Sequence, residues 1–229
     1  MKREIIKTND GSTTIHLPEW DETYHSKHGA IQEAYHVFIK NGLCFANSQK
    51  LGSLFEGQPI AVLEIGFGTG LNCFITYLES KKNRQAIDYV GVEAYPVAID
   101  EAMKMNYPKE IDASEAAIFK QLHECHWEQQ HSLSDNFTLT KRKQFFQDIQ
   151  DEAAFDLIYF DAFGFRVQPE LWSEAIFASM FKSLKPNGVL VTYACRTSIK
   201  NAMLSAGFSV EKLSGAPGKR EMLRATKAL

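Results

Sequence analysis

Four acidic residues and three closely spaced glycines are the candidates for chemistry in this chain. Glu64 closes a short apolar run, and Gly66, Gly68 and Gly70 follow at alternate positions in VLEIGFGTGLN, Val62 to Asn72. A run such as Ile60 to Leu63, apolar and partly β-branched, fits a central parallel strand buried on both faces. Glycines just past its end permit a tight turn with the backbone close to a ligand, and Leu71 to Ser80 has the apolar spacing of a helix packed on a sheet. Strand, glycine turn and helix in that order make a nucleotide crevice at the carboxyl end of a strand. The spacing discriminates among nucleotides. A dinucleotide fingerprint needs GxGxxG, but the last position counted from Gly66 is Leu71, and no Walker lysine follows. A second, mostly apolar run, Ala86 to Val92, ends in Glu93, where such folds place the carboxylate that accepts hydrogen bonds from ribose hydroxyls.

What stands at Glu64 to Gly70 is ExGxGxG, which resembles motif I of the class I methyltransferases that use S-adenosylmethionine. The resemblance implies that Glu64, Gly66, Phe67, Gly68, Thr69, Gly70 and Asn72 hold the methionine end of that cofactor, with Glu93 on the ribose. It further implies an acidic contact to the adenine amino group from Asp148, in the element Gln144 to Ile149, and Asp161 beside the methyl donor at the end of Phe155 to Phe160. The fold expected is α/β and Rossmann-like: a mostly parallel seven-stranded sheet with an antiparallel last strand, plus a small N-terminal extension.

The elements that must position these residues are legible in outline. Ile5 to Leu17 reads as a two-stranded hairpin around Asn9, Asp10 and Gly11, and Pro18 to Gly29 as a loop. Ala30 to Lys40 has helical spacing stopped by Asn41 and Gly42, and a short element spans Cys44 to Phe55. Helices follow from Pro96 to Met105 and from Ile111 to Glu128, with Phe137 to Thr140 a strand and Lys141, Arg142 and Lys143 a basic turn. A helix from Pro169 to Leu184, a KPNG turn, strand Val189 to Ala194, helix Arg196 to Ala206 and a closing pair, Ser209 to Leu213 with Glu221 to Ala225, complete the chain. Residues 1–56 are expected to be an extension and 57–229 the methyltransferase domain, folded as one unit. His123, Cys125, His126 and His131 do not share one helix face well and have no matching pair elsewhere, so exposed helical residues explain them better than a metal.

At 229 residues, 45% of them hydrophobic, the chain can bury one substantial core. It contains neither a signal-peptide pattern nor about eighteen consecutive apolar residues, and Cys44, Cys73, Cys125 and Cys195 lack paired spacing; a cytoplasmic protein with free thiols is expected. The net charge of −3 argues against a polyanion partner, but the average hides an asymmetry. From Phe181 onward nine basic residues stand against two acidic ones, a basic end that could meet phosphates or simply be solvated.

More specific pieces lie outside the cofactor motif: WDETYHS (Trp20 to Ser26), EAYHVF (Glu33 to Phe38), GFGTGLN (Gly66 to Asn72), DAFGFRVQPELW (Asp161 to Trp172) and GAPGKREM (Gly215 to Met222). Together they resemble the methyltransferase domain of the tRNA 5-methylaminomethyl-2-thiouridine biosynthesis family, MnmC, along nearly the whole chain. The sequence departs from that family at Gly164, Phe165 and Gln168, beside the acceptor. The flavin-dependent oxidase half of the bifunctional members is not expected here, so neither FAD nor a metal is.

The resemblance implies methyl transfer to the primary amine of 5-aminomethyluridine, 2-thiolated or not, at the tRNA wobble position, with S-adenosylhomocysteine as product. An amine attacks only when neutral, so a nearby carboxylate that accepts its proton would help; Asp161 is the candidate, or else it only contacts the cofactor or caps the next loop. Tyr24, Phe163 and Phe165 are candidates to stack the base, and Lys219 with Arg220 to contact phosphates. A methyltransferase for another amine or small molecule, and a silent module that keeps the fold, are the competing readings.

Overall fold

The computed structural model describes residues 2–50 and 57–228. Near the N-terminus, β1 (Glu4–Lys7), β2 (Thr13–Leu17) and β3 (Glu22–Thr23) form a small antiparallel sheet. The expected hairpin is β1 with β2. The third strand comes from the segment expected to be a loop, because His16 and Leu17 pair with Thr23 and Glu22 across the turn.

The following helical stretch is longer than its spacing suggests. α1 (Ala30–Ala34) passes into nine residues of π-helix, Tyr35–Leu43, and then into α2 (Cys44–Lys50). Gly42 is not a stop. It is buried where an added Cβ would come within 3.0 Å of Val191 and 3.2 Å of Tyr159, so its missing side chain allows the helix to lie against the sheet. The wide turn also lets Asn41 Nδ2 donate to the His36 carbonyl at 2.7 Å. The part of the expected element beyond Lys50 lies outside the described residues.

The second sheet has eight strands in the order β10-β11-β9-β8-β4-β5-β7-β6. β4 (Ile60–Ile65), β5 (Ile87–Val92), β7 (Phe137–Arg142), β8 (Phe155–Phe160) and β9 (Leu184–Thr192) run parallel. β11 (Glu221–Thr226) lies antiparallel between β9 and β10 (Ser209–Ser214), as expected of the last strand. The expected seven are present, and β6 (Gln130–Ser134) adds an eighth, antiparallel strand at the edge. Strand order reverses at β4, between β5 and β8, so a crevice opens beyond their carboxyl ends.

Helices cover both faces: α3 (Leu71–Asn83), the short turns α4 (Ile99–Ala102) and α5 (Tyr107–Ile111), then α6 (Ala116–Glu124), α7 (Glu174–Ser183) and α8 (Thr197–Ser205). The helix expected over Ile111 to Glu128 is shorter at both ends. Asp112 accepts a hydrogen bond from the Ser114 amide, and Cys125 takes an extended backbone with ψ 145. The helix expected from Pro96 to Met105 is confined to Ile99–Ala102 and ends before Pro108, which sits in the first turn of α5. Ser173 caps α7, so the stretch Pro169–Trp172 is a separate 3-10 turn.

Apolar side chains of the N-terminal extension, among them Ile15, Leu17, Val37 and Phe38, share one buried cluster with Val62, Phe74, Tyr89 and Tyr159 of the larger sheet and its helices. Among the described residues no helix is long and apolar enough to cross a membrane.

Candidate active site at the strand switch point

A cleft of about 340 Å³ lies over the carboxyl ends of β4, β5 and β8. Gly66, Gly68, Glu93 and Asp161, each expected at the site, line it, as do Tyr24 and Phe163. Gly66 has φ +91, and a Cβ there would stand 2.6 Å from the Asp161 carbonyl oxygen; only glycine lets the ends of β4 and β8 come this close. Glu93 Oε2 accepts from the Gly68 amide at 3.1 Å and Oε1 from the Tyr95 amide at 3.0 Å. This pins the carboxylate to the glycine turn at the mouth of β5.

Glu64 is fully buried and does not reach the cleft, a difference from its expected role. Burial pushes its carboxyl well above the usual range, with the nearby Asp161 and Glu93 carboxylates adding to the rise and hydrogen bonds from Tyr89 and Asn72 opposing it. Its link to the site is Asn72, whose Nδ2 donates to Glu64 Oε1 at 3.0 Å and to Asp161 Oδ2 at 2.8 Å. Glu64 and Asn72 thus orient Asp161. Asp161 itself is pushed up to about 7, by burial first and then by the Glu33 carboxylate, while the Asn72 hydrogen bond and the Lys219 ammonium oppose the rise.

The other motif residues brace the turn. Phe67 packs away from the cleft, edge-on to His123 and Trp127; the Thr69 hydroxyl bonds the Tyr107 phenol at 2.9 Å; Gly70 starts α3. Asp148 is solvent-exposed and outside the cleft, because the 3-10 turn Phe146–Asp148 rotates it outward while Phe146 and its neighbour Gln147 face in. His123 is buried between Phe67 and Phe119 and is not an exposed helical residue. Lys141 is likewise no turn residue: it is buried in β7, where Nζ donates to the His123 carbonyl at 2.7 Å.

The basic end is largely paired. Lys182 meets Glu152, Lys185 meets Asp156, Lys212 meets Glu221 and Arg224 meets Glu211. Lys219 turns inward, its Nζ 2.5 Å from Glu33 Oε1 and 4.0 Å from the Tyr193 ring centre, whereas Arg220 is exposed. A phosphate role for Lys219 therefore does not fit this placement. Phe165 lies under the Arg196 guanidinium at 4.7 Å.

Sequence reasoning missed several lining residues. Trp20 and His25 come from WDETYHS, the very piece that marked the resemblance, and Tyr193 follows β9. The piece was visible; its contact with the site was not. Trp20 and Tyr24 both meet Phe163 edge to face, at 5.8 and 5.0 Å between ring centres, forming one aromatic wall. Burial raises the Tyr24 phenol to about 12 and lowers the His25 imidazole to about 4, so both are neutral near pH 7.

Residues 109–228 match the sequence profile of an S-adenosyl-L-methionine-dependent methyltransferase family. The chain belongs to that family. It is 28% identical over 218 residues to the tRNA 5-methylaminomethyl-2-thiouridine biosynthesis bifunctional protein MnmC of Paraburkholderia xenovorans, covering 90% of this chain and 32% of the relative. The corresponding protein of an Acidovorax species is 26% identical over 240 residues, covering all of this chain and 36% of its own length. This chain thus spans about a third of these relatives. In structure it is similar to MNMC2 from Aquifex aeolicus, with a TM-score of 0.74 and 21% identity over 100% of this chain and 72% of the other. It is also similar to spermidine synthase from Thermotoga maritima, with a TM-score of 0.56 and 14% identity over 99% and 68%. These likenesses show a shared fold.

The site fits the methyltransferase cofactor. Gly66 and Gly68 present backbone to the cleft, and Glu93 holds a carboxylate at the position suited to ribose hydroxyls. From the turn expected to present Asp148, Phe146 and Gln147 line the cleft instead.

Proposed function

We propose that this methyltransferase transfers a methyl group to the primary amine of 5-aminomethyluridine, with or without 2-thiolation, at the wobble position of cytoplasmic tRNA. The observation that carries the reading is the meeting of Trp20, Tyr24 and Phe163 over Asp161 in one cleft. A flat pyrimidine drawn from its stack is held well by aromatic faces and edges, and its 5-substituent then reaches toward the strand ends. Similarity to the MnmC proteins along nearly the whole chain supports the same substrate class.

S-adenosylmethionine, when bound, supplies an electrophilic methyl group. The chain supplies the rest. Glu93 and the glycine turn fix the donor's ribose and backbone contacts, and the aromatic wall fixes the base. Alignment of the amine with the methyl group contributes much of the rate. As the N–C bond forms and the C–S bond breaks, the amine's proton passes to the Asp161 carboxylate, directly or through water, and then to solvent. An acceptor with a pKa of about 7 is matched to proton transfer near neutral pH. This is a transfer without redox change, so the step itself calls for no flavin. Arg220, exposed on the turn between β10 and β11, is suited to a tRNA phosphate.

The test compares purified protein on tRNA carrying 5-aminomethyluridine and on the free nucleoside, read by nucleoside mass spectrometry. Methylation of tRNA only, with affinity that falls as salt rises, is expected. Equal activity on the free nucleoside, without salt dependence, would instead establish a small-molecule amine methyltransferase.

A further inference from the structure

His25 lines the cleft beside Tyr24, and its imidazole is held from behind by hydroxyl groups. β2 anchors the backbone here: the Tyr24 amide donates to the Ile15 carbonyl at 2.9 Å and the His25 amide to Thr14 Oγ1 at 3.1 Å. The His25 ring meets the Tyr107 ring edge to face at 6.1 Å, and its Nδ1 lies 3.3 Å from Thr14 Oγ1 and 3.5 Å from the Tyr107 hydroxyl. Nε2, on the other side of the ring, has no hydrogen-bond partner among the described residues and is not sealed in the interior.

These hydrogen bonds leave His25 one tautomer. Thr14 is fully buried, and its hydroxyl oxygen already accepts from the His25 amide. Its hydroxyl proton needs an acceptor, and among the described residues the one within reach is His25 Nδ1. A proton on Nδ1 would instead strand the Thr14 hydroxyl proton, at the cost of a buried hydrogen bond left unmade. The Tyr107 hydroxyl, paired with Thr69 Oγ1 at 2.9 Å, converges on the same nitrogen and is also able to donate to it. Burial keeps the ring neutral near pH 7, so an unprotonated Nδ1 puts the single ring proton on Nε2. The cleft thereby gains a fixed N–H donor.

We propose that His25 Nε2–H donates to the O4 carbonyl of the wobble uracil and so sets the choice of uridine over cytidine. This rests on the acceptor proposed above. O4 stands on the ring carbon next to the one that carries the aminomethyl group, so a base held against Tyr24 and Phe163 with its amine toward Asp161 would present that carbonyl in the part of the cleft that His25 shares with them. Cytosine carries an amino group in place of O4. Its N–H would face the N–H of His25, and the imidazole has no means of yielding, because Thr14 and Tyr107 hold Nδ1 as an acceptor. A site built to hydrogen-bond one group rejects an analogue that leaves its donor unpaired. A histidine that only packed would be served as well by phenylalanine and would need no hydroxyl groups converging on one nitrogen.

The experiment measures kcat/KM at saturating S-adenosylmethionine on tRNA carrying either 5-aminomethyluridine or 5-aminomethylcytidine at the wobble position, with S-adenosylhomocysteine affinity followed by calorimetry. Wild-type protein should prefer the uridine by at least about a hundredfold. His25→Phe, which keeps a ring and removes the donor, should lower activity on the uridine tRNA by about ten- to a hundredfold, erase most of the preference and leave S-adenosylhomocysteine affinity unchanged. His25→Gln, whose amide donates from a similar position, should recover part of both. Long-range proton–nitrogen NMR spectra of the ligand-free protein should show Nε2 protonated and Nδ1 bare, a readout that stands even if the phenylalanine variant does not fold. The proposal is overturned by an unchanged preference in His25→Phe, by a ring protonated on Nδ1, or by a loss confined to S-adenosylhomocysteine affinity, which would put the N–H on the carboxylate of the methyl donor; each of these leaves the tRNA reading in place. Wild-type protein inert on both tRNAs overturns the tRNA reading itself, and this inference with it.

Discussion

Replacing Asp161 by asparagine should stabilise the ligand-free protein, and increasingly so as pH rises. Asparagine keeps an oxygen to accept the Asn72 Nδ2 hydrogen bond, 2.8 Å in the wild type, but never carries charge. The native Asp161 carboxyl titrates at about 7 against 3.8 for the unperturbed group, so between these values the folded state holds a proton that the unfolded state has lost. A raised carboxyl pKa makes its contribution below about pH 4 and loses it as pH climbs through 7. The difference corresponds to at most about 4 kcal/mol above pH 7, less in practice because the side chain is only partly shielded from solvent. Urea unfolding of both proteins from pH 4.5 to 8.5 measures it. The stability gap should open by up to about 1.4 kcal/mol per pH unit and level off above pH 7. A gap that is constant across this range would show that Asp161 is ionised throughout and would remove the basis for treating it as a matched proton acceptor. The same substitution should slow methyl transfer by on the order of a hundredfold while leaving donor affinity nearly intact.

Three further outcomes are expected. Glu93→Ala should weaken S-adenosylhomocysteine binding by roughly 1 to 3 kcal/mol in calorimetry, through loss of charge-assisted hydrogen bonds; unchanged binding would move the ribose contact elsewhere. Gly66→Ala forces a Cβ to within 2.6 Å of a backbone oxygen at a positive φ, and should lower the melting temperature and donor affinity together. Arg220→Ala should raise the KM for tRNA and flatten its salt dependence without changing donor affinity, and an unchanged KM would exclude it from the tRNA surface.

Local pattern determined a good deal of this protein. An apolar, partly β-branched run followed by alternate glycines fits a buried strand that stops abruptly, so β4, its turn and α3 were legible, and so were Glu93 and Asp161 at the ends of β5 and β8. Periodicity reports which face of an element is buried, not what that face meets, and the remaining features depended on partners distant in sequence. Gly42 has the look of a helix stop, but its role is contact with Val191 and Tyr159. Asp148 lies in the expected element yet points outward, since a single 3-10 turn decides which of three successive side chains faces the cleft. Glu64 carries the motif's acid but acts through Asn72, because a strand buried on both faces leaves its side chain no route to the cleft. Lys219, read as a surface cation, is drawn inward by Glu33, which lies on a helix near the other end of the chain. Charge on a sequence has no direction; only the tertiary structure, by setting which opposite charge a long side chain can reach and how much water remains there, assigned that lysine to the site.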